Sequence, residues 1–68
     1  MPINRIKLAR VKANYSQEEL AEMVGVTRQT IGLIESGNYN PTINLCLKIA
    51  HTLNHTLDDL FGEAEHDQ

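Results

Sequence analysis

Apolar residues recur along this chain at spacings of three and four. No segment alternates with a period of two, so the pattern predicts consecutive helices and no sheet. A first helix is predicted over about residues 4–13, with Ile6, Ala9 and Ala13 on one side and Leu8 and Val11 pointing elsewhere. Ser16-Gln17-Glu18-Glu19 reads as a capping box. The serine oxygen accepts from an orphan amide, Glu19 reaches back to the cap, and a second helix starts there. Leu20, Met23 and Val24 form its expected buried stripe, and Gly25 ends it, because a left-handed residue after a helix costs glycine little. Thr27 caps a third helix whose buried side is marked by Val26, Ile31 and Ile34, and Gly37 stops it after Glu35-Ser36. A polar turn over residues 38–41 leads through Pro41 to Thr42, the cap of a fourth helix reaching about Leu53. Its core side is expected to hold Ile43, Cys46, Leu47, Ala50 and Leu53, with Leu45 and Ile49 off that side. Asn54 closes it. Thr56-Leu57-Asp58-Asp59 then repeats the capping logic with acids at the positive helix end, and Leu57, Leu60 and Phe61 fall at i, i+3 and i+4. Gly62 ends this fifth helix, and the polar stretch 62–68 is expected to fray.

Length bounds what such helices can build. The 68 residues, 41% of them hydrophobic with no tryptophan, fit one small all-α domain spanning residues 1–68. A domain this short buries only about 60% of the surface its unfolded chain exposes, so a partner subunit, a metal or a disulfide often completes it. Cys46 is the only cysteine, which excludes an internal disulfide and a multi-thiolate zinc site and fits a reducing, cytoplasmic setting. Self-association is the expected remedy. The apolar runs are too short to span a membrane, and the segment MPINRIK lacks the apolar stretch of a signal peptide.

Charge alters the picture through its distribution. The net charge of −3 argues against nucleic acid when taken alone. Residues 1–14, however, carry Arg5, Lys7, Arg10 and Lys12 with no acid, while Asp58, Asp59, Glu63, Glu65 and Asp67 make the other end strongly acidic. A basic segment can approach phosphates while an acidic tail stays off them; ordinary solvated charges are the competing explanation.

The spacing from Gln17 onward is more informative. Gln17, Leu20, Ala21, Val24, Gly25, Val26, Ile31 and Ile34 place a small residue where two helices cross, a glycine in the turn, and apolar residues where the second helix is held across the first. A larger side chain at Ala21 would push the pair apart. Helix-turn-helix units use this spacing to project their second helix outward as a reader of DNA. Residues 4–61 resemble the small transcriptional repressors of the Cro and phage-repressor type, the XRE family, through SQEELAEMVGVTRQTIGLIESG followed by NYNPTINLCLKIA. The resemblance implies a compact five-helix, lambda-repressor-like DNA-binding domain, a recognition helix at about residues 27–36 in the major groove, and a homodimer on a roughly palindromic operator. No Ser-His-Asp constellation or glycine-rich phosphate loop is present, so neither catalysis nor a cofactor is expected. The effector or cleavage domain carried by longer members of the family is missing, which leaves regulation open.

This resemblance explains an odd face. Opposite Ile34 on the third helix lie Arg28, Gln29, Gly32 and Leu33, a sector poor in charge with a glycine in mid-helix. A helix entering a groove about 12 Å wide must bring side chains to base edges without its own bulk holding it off, and Gly32 permits that approach. Arg28 suits guanine, Gln29 suits adenine, and Leu33 suits a thymine methyl. Thr27 and Thr30 flank the sector as base or phosphate contacts. Gln17, whose family counterparts contact phosphate, together with Asn38, Tyr39 and Asn40 after the helix and the basic Arg5, Lys7 and Lys12, are the candidates for backbone contact. Helix solvation for Gln17 and turn chemistry for Asn38 and Asn40 remain the plainer explanations.

The family also implies that Arg10 pairs with Glu35, tying the first helix to the back of the reader, so both are expected to be structural, as are Ala21 and Gly25. Leu8, Leu45, Ile49, Leu57 and Phe61 are the dimer candidates. His51 and His55 are spaced as helical metal ligands, but Asn54 falls between them and no carboxylate joins the set, so no metal is expected. An alternative function is that of an antitoxin, which binds a partner toxin through Leu8, Val11, Leu45, Ile49 or the acidic tail and represses its own operon.

Overall fold

The computed structural model describes residues 4–62. Within them the chain forms α1 (Arg5–Lys12), α2 (Gln17–Val24), α3 (Arg28–Glu35), α4 (Ile43–Thr52) and α5 (Leu57–Phe61). These helices of five to ten residues are shorter than the roughly 12–15 residues that an isolated helix needs to be stable in water, so caps and packing must hold them. The caps follow one rule. Asn4, Ser16, Thr27, Thr42 and Thr56 each accept from the backbone N–H three residues on, and the second and fifth helices complete the reciprocal capping box. Asn4 is thus the cap of α1 and not its first turn.

Helix ends follow a second rule. Asn14, Gly25, Gly37 and Asn54 all have positive φ, and the residue after each donates its N–H five residues back, to the carbonyls of Arg10, Ala21, Leu33 and Ala50. These closures satisfy orphan carbonyls while reversing the chain within two or three residues. Gly62 differs: it ends α5 in an extended conformation.

The core is centred on Leu20, Ile31 and Ile49, one side chain from each of α2, α3 and α4, all fully buried. Ile6 and Ala9 of α1 and Leu60 of α5 close it, with Phe61, Ala13, Tyr15 and Val26 packed at its edge. α2 lies against α3 and α4, and α5 bridges α4 to α1.

Three expectations about burial are corrected. Met23 is exposed, and its place in the α2 stripe is taken by Ala21. In α4, Ile43 and Leu47 are 67% and 49% exposed, whereas Leu45 and Ile49 are 9% and 0%. Leu45 and Ile49 are therefore core residues and not dimer candidates. α4 is apolar at positions 43, 45, 46, 47, 49, 50 and 53, more than one face can hold. Periodicity alone accepts either of two adjacent stripes, and packing between α2 and α5 selects the one through Ile49. Residues 63–68 lie outside the described part, so the expected fraying of the tail falls there. No helix of the described residues is long and apolar enough to cross a membrane.

Candidate nucleic-acid interface

The α2–α3 turn sets the site. Gly25, at φ +81°, and Val26 both donate to the Ala21 carbonyl at 2.9 Å. A Cβ on Gly25 would meet no atom within 4 Å, so glycine is favoured here by backbone conformation and not by crowding. Ala21 is buried under α3, and Ile31 and Ile34 fasten α3 down along one side.

Arg28, Gln29 and Leu33 stand exposed on the other side, with Gly32 half-exposed between them. The only atom near a Cβ added at Gly32 is Gln17 Nε2 at 3.9 Å, an ordinary contact. Among the described residues no internal packing asks for glycine at this position. Thr27 and Thr30 are engaged with each other: Thr27 Oγ1 accepts the Thr30 N–H at 3.2 Å, and the two hydroxyl oxygens lie 3.0 Å apart. Their first role is the α3 cap, with Thr30 half-buried.

Behind the face lies a buried ion pair. Arg10 Nε donates to Glu35 Oε2 at 2.7 Å and Nη2 donates to Oε1 at 3.2 Å, while Nη1 donates to the Tyr15 carbonyl at 2.8 Å. Asn4 Nδ2 donates to the Glu35 backbone carbonyl, so α1 is tied to the end of α3 at two points. Among the described residues no buried side-chain nitrogen or oxygen lacks a partner. Such a pair stabilises only while it stays complete.

Gln17 was expected to point at phosphate or solvent. It is half-buried instead, with Nε2 donating to Glu35 Oε1 at 3.0 Å and Oε1 accepting from Arg28 Nη1 at 3.3 Å. Spacing along one helix could not have revealed these bonds, because they join residues 11 and 18 positions apart. Arg5 is corrected as an electrostatic candidate. Its guanidinium donates to the carbonyls of Asp59 (3.2 Å) and Gly62 at the C-terminal end of α5, where a cation offsets the negative helix end. Lys7 and Lys12 remain exposed on α1.

After α3, Asn38 Nδ2 donates to Ser36 Oγ at 3.0 Å, while Tyr39 and Asn40 extend into solvent. Asn54, at φ +62°, separates His51 from His55, and His55 Nδ1 lies 3.3 Å from Asp59 Oδ2 within the α5 cap. The Thr56 backbone N–H holds the Asp59 carboxyl below its usual range, with His55 adding to the effect. Burial pushes the Cys46 thiol up, so it stays a thiol in the core.

Three of the dimer candidates keep apolar surface. Leu8 is exposed on α1, and Leu57 and Phe61 are both half-buried in α5, Phe61 packed against the edge of the core. The largest exposed apolar side chains on the α2 and α4 surfaces are Met23, Ile43 and Leu47, which helical periodicity alone places in the interior.

Comparison with known proteins agrees with this geometry. A helix-turn-helix family model, HTH_3, matches residues 6–60. An uncharacterized HTH-type transcriptional regulator of Archaeoglobus fulgidus is 51% identical over 57 residues, covering 84% of this chain and 80% of the relative. The uncharacterized HTH-type transcriptional regulator YgzD of Bacillus subtilis is 47% identical over 58 residues, 85% of this chain and 88% of its own. A chain from a solved SinR protein/SinI protein complex superposes with a TM-score of 0.83 at 33% identity, across 96% of this chain and 64% of that one. An outward α3 crossing α2 at Ala21, on a five-helix frame shared with these proteins, places the chain in the helix-turn-helix family of Cro and phage-repressor type, the DNA-binding transcriptional regulators.

Proposed function

We propose that this chain is a cytoplasmic repressor that binds a roughly palindromic operator as a homodimer, reading bases with Arg28, Gln29, Gly32 and Leu33. One observation supports the reading: α3 is anchored by fully buried Ile31 on one side, while its other side offers exposed donors, an acceptor and an apolar group, with only Arg28 bonded to a side chain of another helix, Gln17. Selection of bound fragments from random DNA by the purified protein tests it. The expected result is a palindrome whose half-sites lie about one helical turn, roughly 34 Å, apart. Failure to enrich any sequence would remove the reading.

Exposed surface favours one place for the dimer contact. Met23, Leu47 and Leu57 line a groove of about 880 Å³ between the end of α2, α4 and the start of α5, and Ile43 lies one turn before Leu47. Glu22 sits on the α2 side of this groove, with Lys48, His51 and His55 on the other. A two-fold axis sets each such patch against its own copy, an arrangement in which Glu22 of one copy can face Lys48 of the other. Leu47→Asp is expected to leave the helices intact and shift the protein to monomer, seen by sedimentation; a folded variant that remains dimeric would move the interface elsewhere.

A protein partner is the second reading, favoured by exposed Leu8 and Val11 on α1. The SinR neighbour was solved in complex with another protein, SinI. Recovery of one stoichiometric partner, with no enriched DNA sequence, would support an antitoxin-type role over the repressor.

A further inference from the structure

The Gly62 carbonyl accepts from the Arg5 guanidinium, so the chain leaves the fifth helix beside the N-terminal end of α1. A groove of about 320 Å³ opens there, lined by Arg5, Leu8 and Lys12 of α1 and by His55, Asp59 and Leu60 across from them. Seven residues are almost two helical turns, so Arg5 and Lys12 share one side of α1, about 10 Å apart along its axis. Leu8 lies exposed between them. The Asp59 carboxylate is already engaged by the Thr56 N–H and by His55, and among the described residues no acid pairs with Lys12. The groove therefore offers an apolar floor with an unmatched cation at its far end.

The six residues after Gly62 read EAEHDQ, in which Glu63, Glu65 and Asp67 alternate with Ala64, His66 and Gln68. An extended segment turns alternate side chains to one side, so all three carboxylates can share a face. Six extended residues reach at most about 20 Å, twice the run from Arg5 to Lys12. We propose that residues 63–68 occupy the α1–α5 groove, set their carboxylates against Lys12, and compete there with DNA phosphate. Continuity and charge choose this occupant. Of the other exposed lysines, Lys7 stands about 200° round the helix from Arg5, and Lys48 lines the separate groove beside α2. Tethering keeps the acids near Lys12 at an effective concentration of about millimolar order, which an acidic segment from solution must match. Exposed ion pairs are weak and screened by salt, so phosphate can displace the segment. That displacement costs the same on every sequence. It lowers affinity for all DNA alike and leaves base preference untouched. The competition rests on the DNA-binding function above, whereas the docking does not.

The test compares the full chain with a variant carrying Glu63→Gln, Glu65→Gln and Asp67→Asn, each with and without Lys12→Gln. Without DNA, neutralising the three acids should shift the backbone amide resonances of Leu8 and Lys12, leave those of α3 in place, and be mimicked in wild type by high salt. Unmoved α1 resonances would overturn the docking. With a duplex of random sequence at low salt, the neutralised variant should bind about threefold to tenfold tighter, and the gain should vanish in the Lys12→Gln background. A gain that persists there would report net charge acting at a distance and overturn the proposal. Shifted α1 resonances with unchanged affinity would overturn the competition. Absence of DNA binding by every variant is a different failure, since it removes the DNA function while the resonances still decide the docking.

Discussion

α3 and α4 are both short helices capped by threonine, and both carry more apolar residues than the core accepts. They differ in how the surplus is arranged. In α3 the apolar set is small, and Ile31 and Ile34 define a single inner side; the leftover Leu33 stands alone among Arg28, Gln29 and Gly32. In α4 the apolar residues cover two neighbouring stripes, and either could have been buried. A helix with one apolar stripe declares its orientation, whereas one with two waits for its neighbours. The two surpluses also invite different occupants: an isolated leucine among polar groups suits a base edge, and a continuous apolar strip suits another protein surface.

The largest expected effect lies behind α3. Arg10→Ala leaves the buried Glu35 carboxylate without its ion pair, and denaturant titration should report a loss of about 3–5 kcal/mol. DNA binding would vanish with the fold, so folding has to be measured beside it. A loss comparable to that of an exposed surface pair, below about 1 kcal/mol, would mean that the pair is solvated.

The contrast within α4 comes next. Ile49→Ala is expected to cost about 2–5 kcal/mol in the same titration. Ile43→Ala, on the outer stripe, should change monomer stability by no more than about 0.5 kcal/mol. Reversed magnitudes would show that the other stripe faces inward.

On the reading side of α3, Gln29→Ala should cost about 1–3 kcal/mol of discrimination at one operator position, with thermal unfolding unchanged. Lys7→Ala should instead weaken all sequences alike and reduce the salt slope by about 1. Equal losses on operator and random DNA for both variants would abolish this division between base reading and backbone grip.

The smallest expected effect concerns the α5 cap. Asp59 has its pKa lowered in the folded protein, chiefly by the Thr56 N–H, so the stability it contributes is present above its ordinary value of 3.8. That contribution is lost as pH falls through the lower folded value. Asp59→Asn should flatten stability against pH in this acid range and leave α3 and its neighbours unaffected. An unaltered acid limb would assign the pH dependence to other carboxylates.

Much of the local structure is written in short segments. Ser16 with Glu19 and Thr56 with Asp59 are capping boxes because their partners lie three residues apart, and Gly25 and Gly37 take φ values that other residues resist. Asn14 takes a similar conformation with less warning, since asparagine is common in many settings. The exposed sector of Arg28, Gln29, Gly32 and Leu33 is equally legible, as it follows from 100° per residue on a helix with one apolar side. Arg5 and Gln17 were less so. Charge and position marked them for phosphate, yet Arg5 meets the end of α5 and Gln17 lies between Glu35 and Arg28. Such partners depend on which elements come together in space.

The amino-acid sequence by itself determined where α2, α3, α4 and α5 start and stop, which side of α3 is held down, and which side chains it leaves outside, because caps, turns and a single apolar stripe act over only a few residues. Tertiary packing alone decided that α4 buries Ile49 and shows Ile43 and Leu47, that Arg5 closes onto α5, and that Gln17 joins the buried ion pair to Arg28. Those outcomes turn on which of several locally acceptable faces and partners fits once the helices dock, and a local pattern cannot rank them.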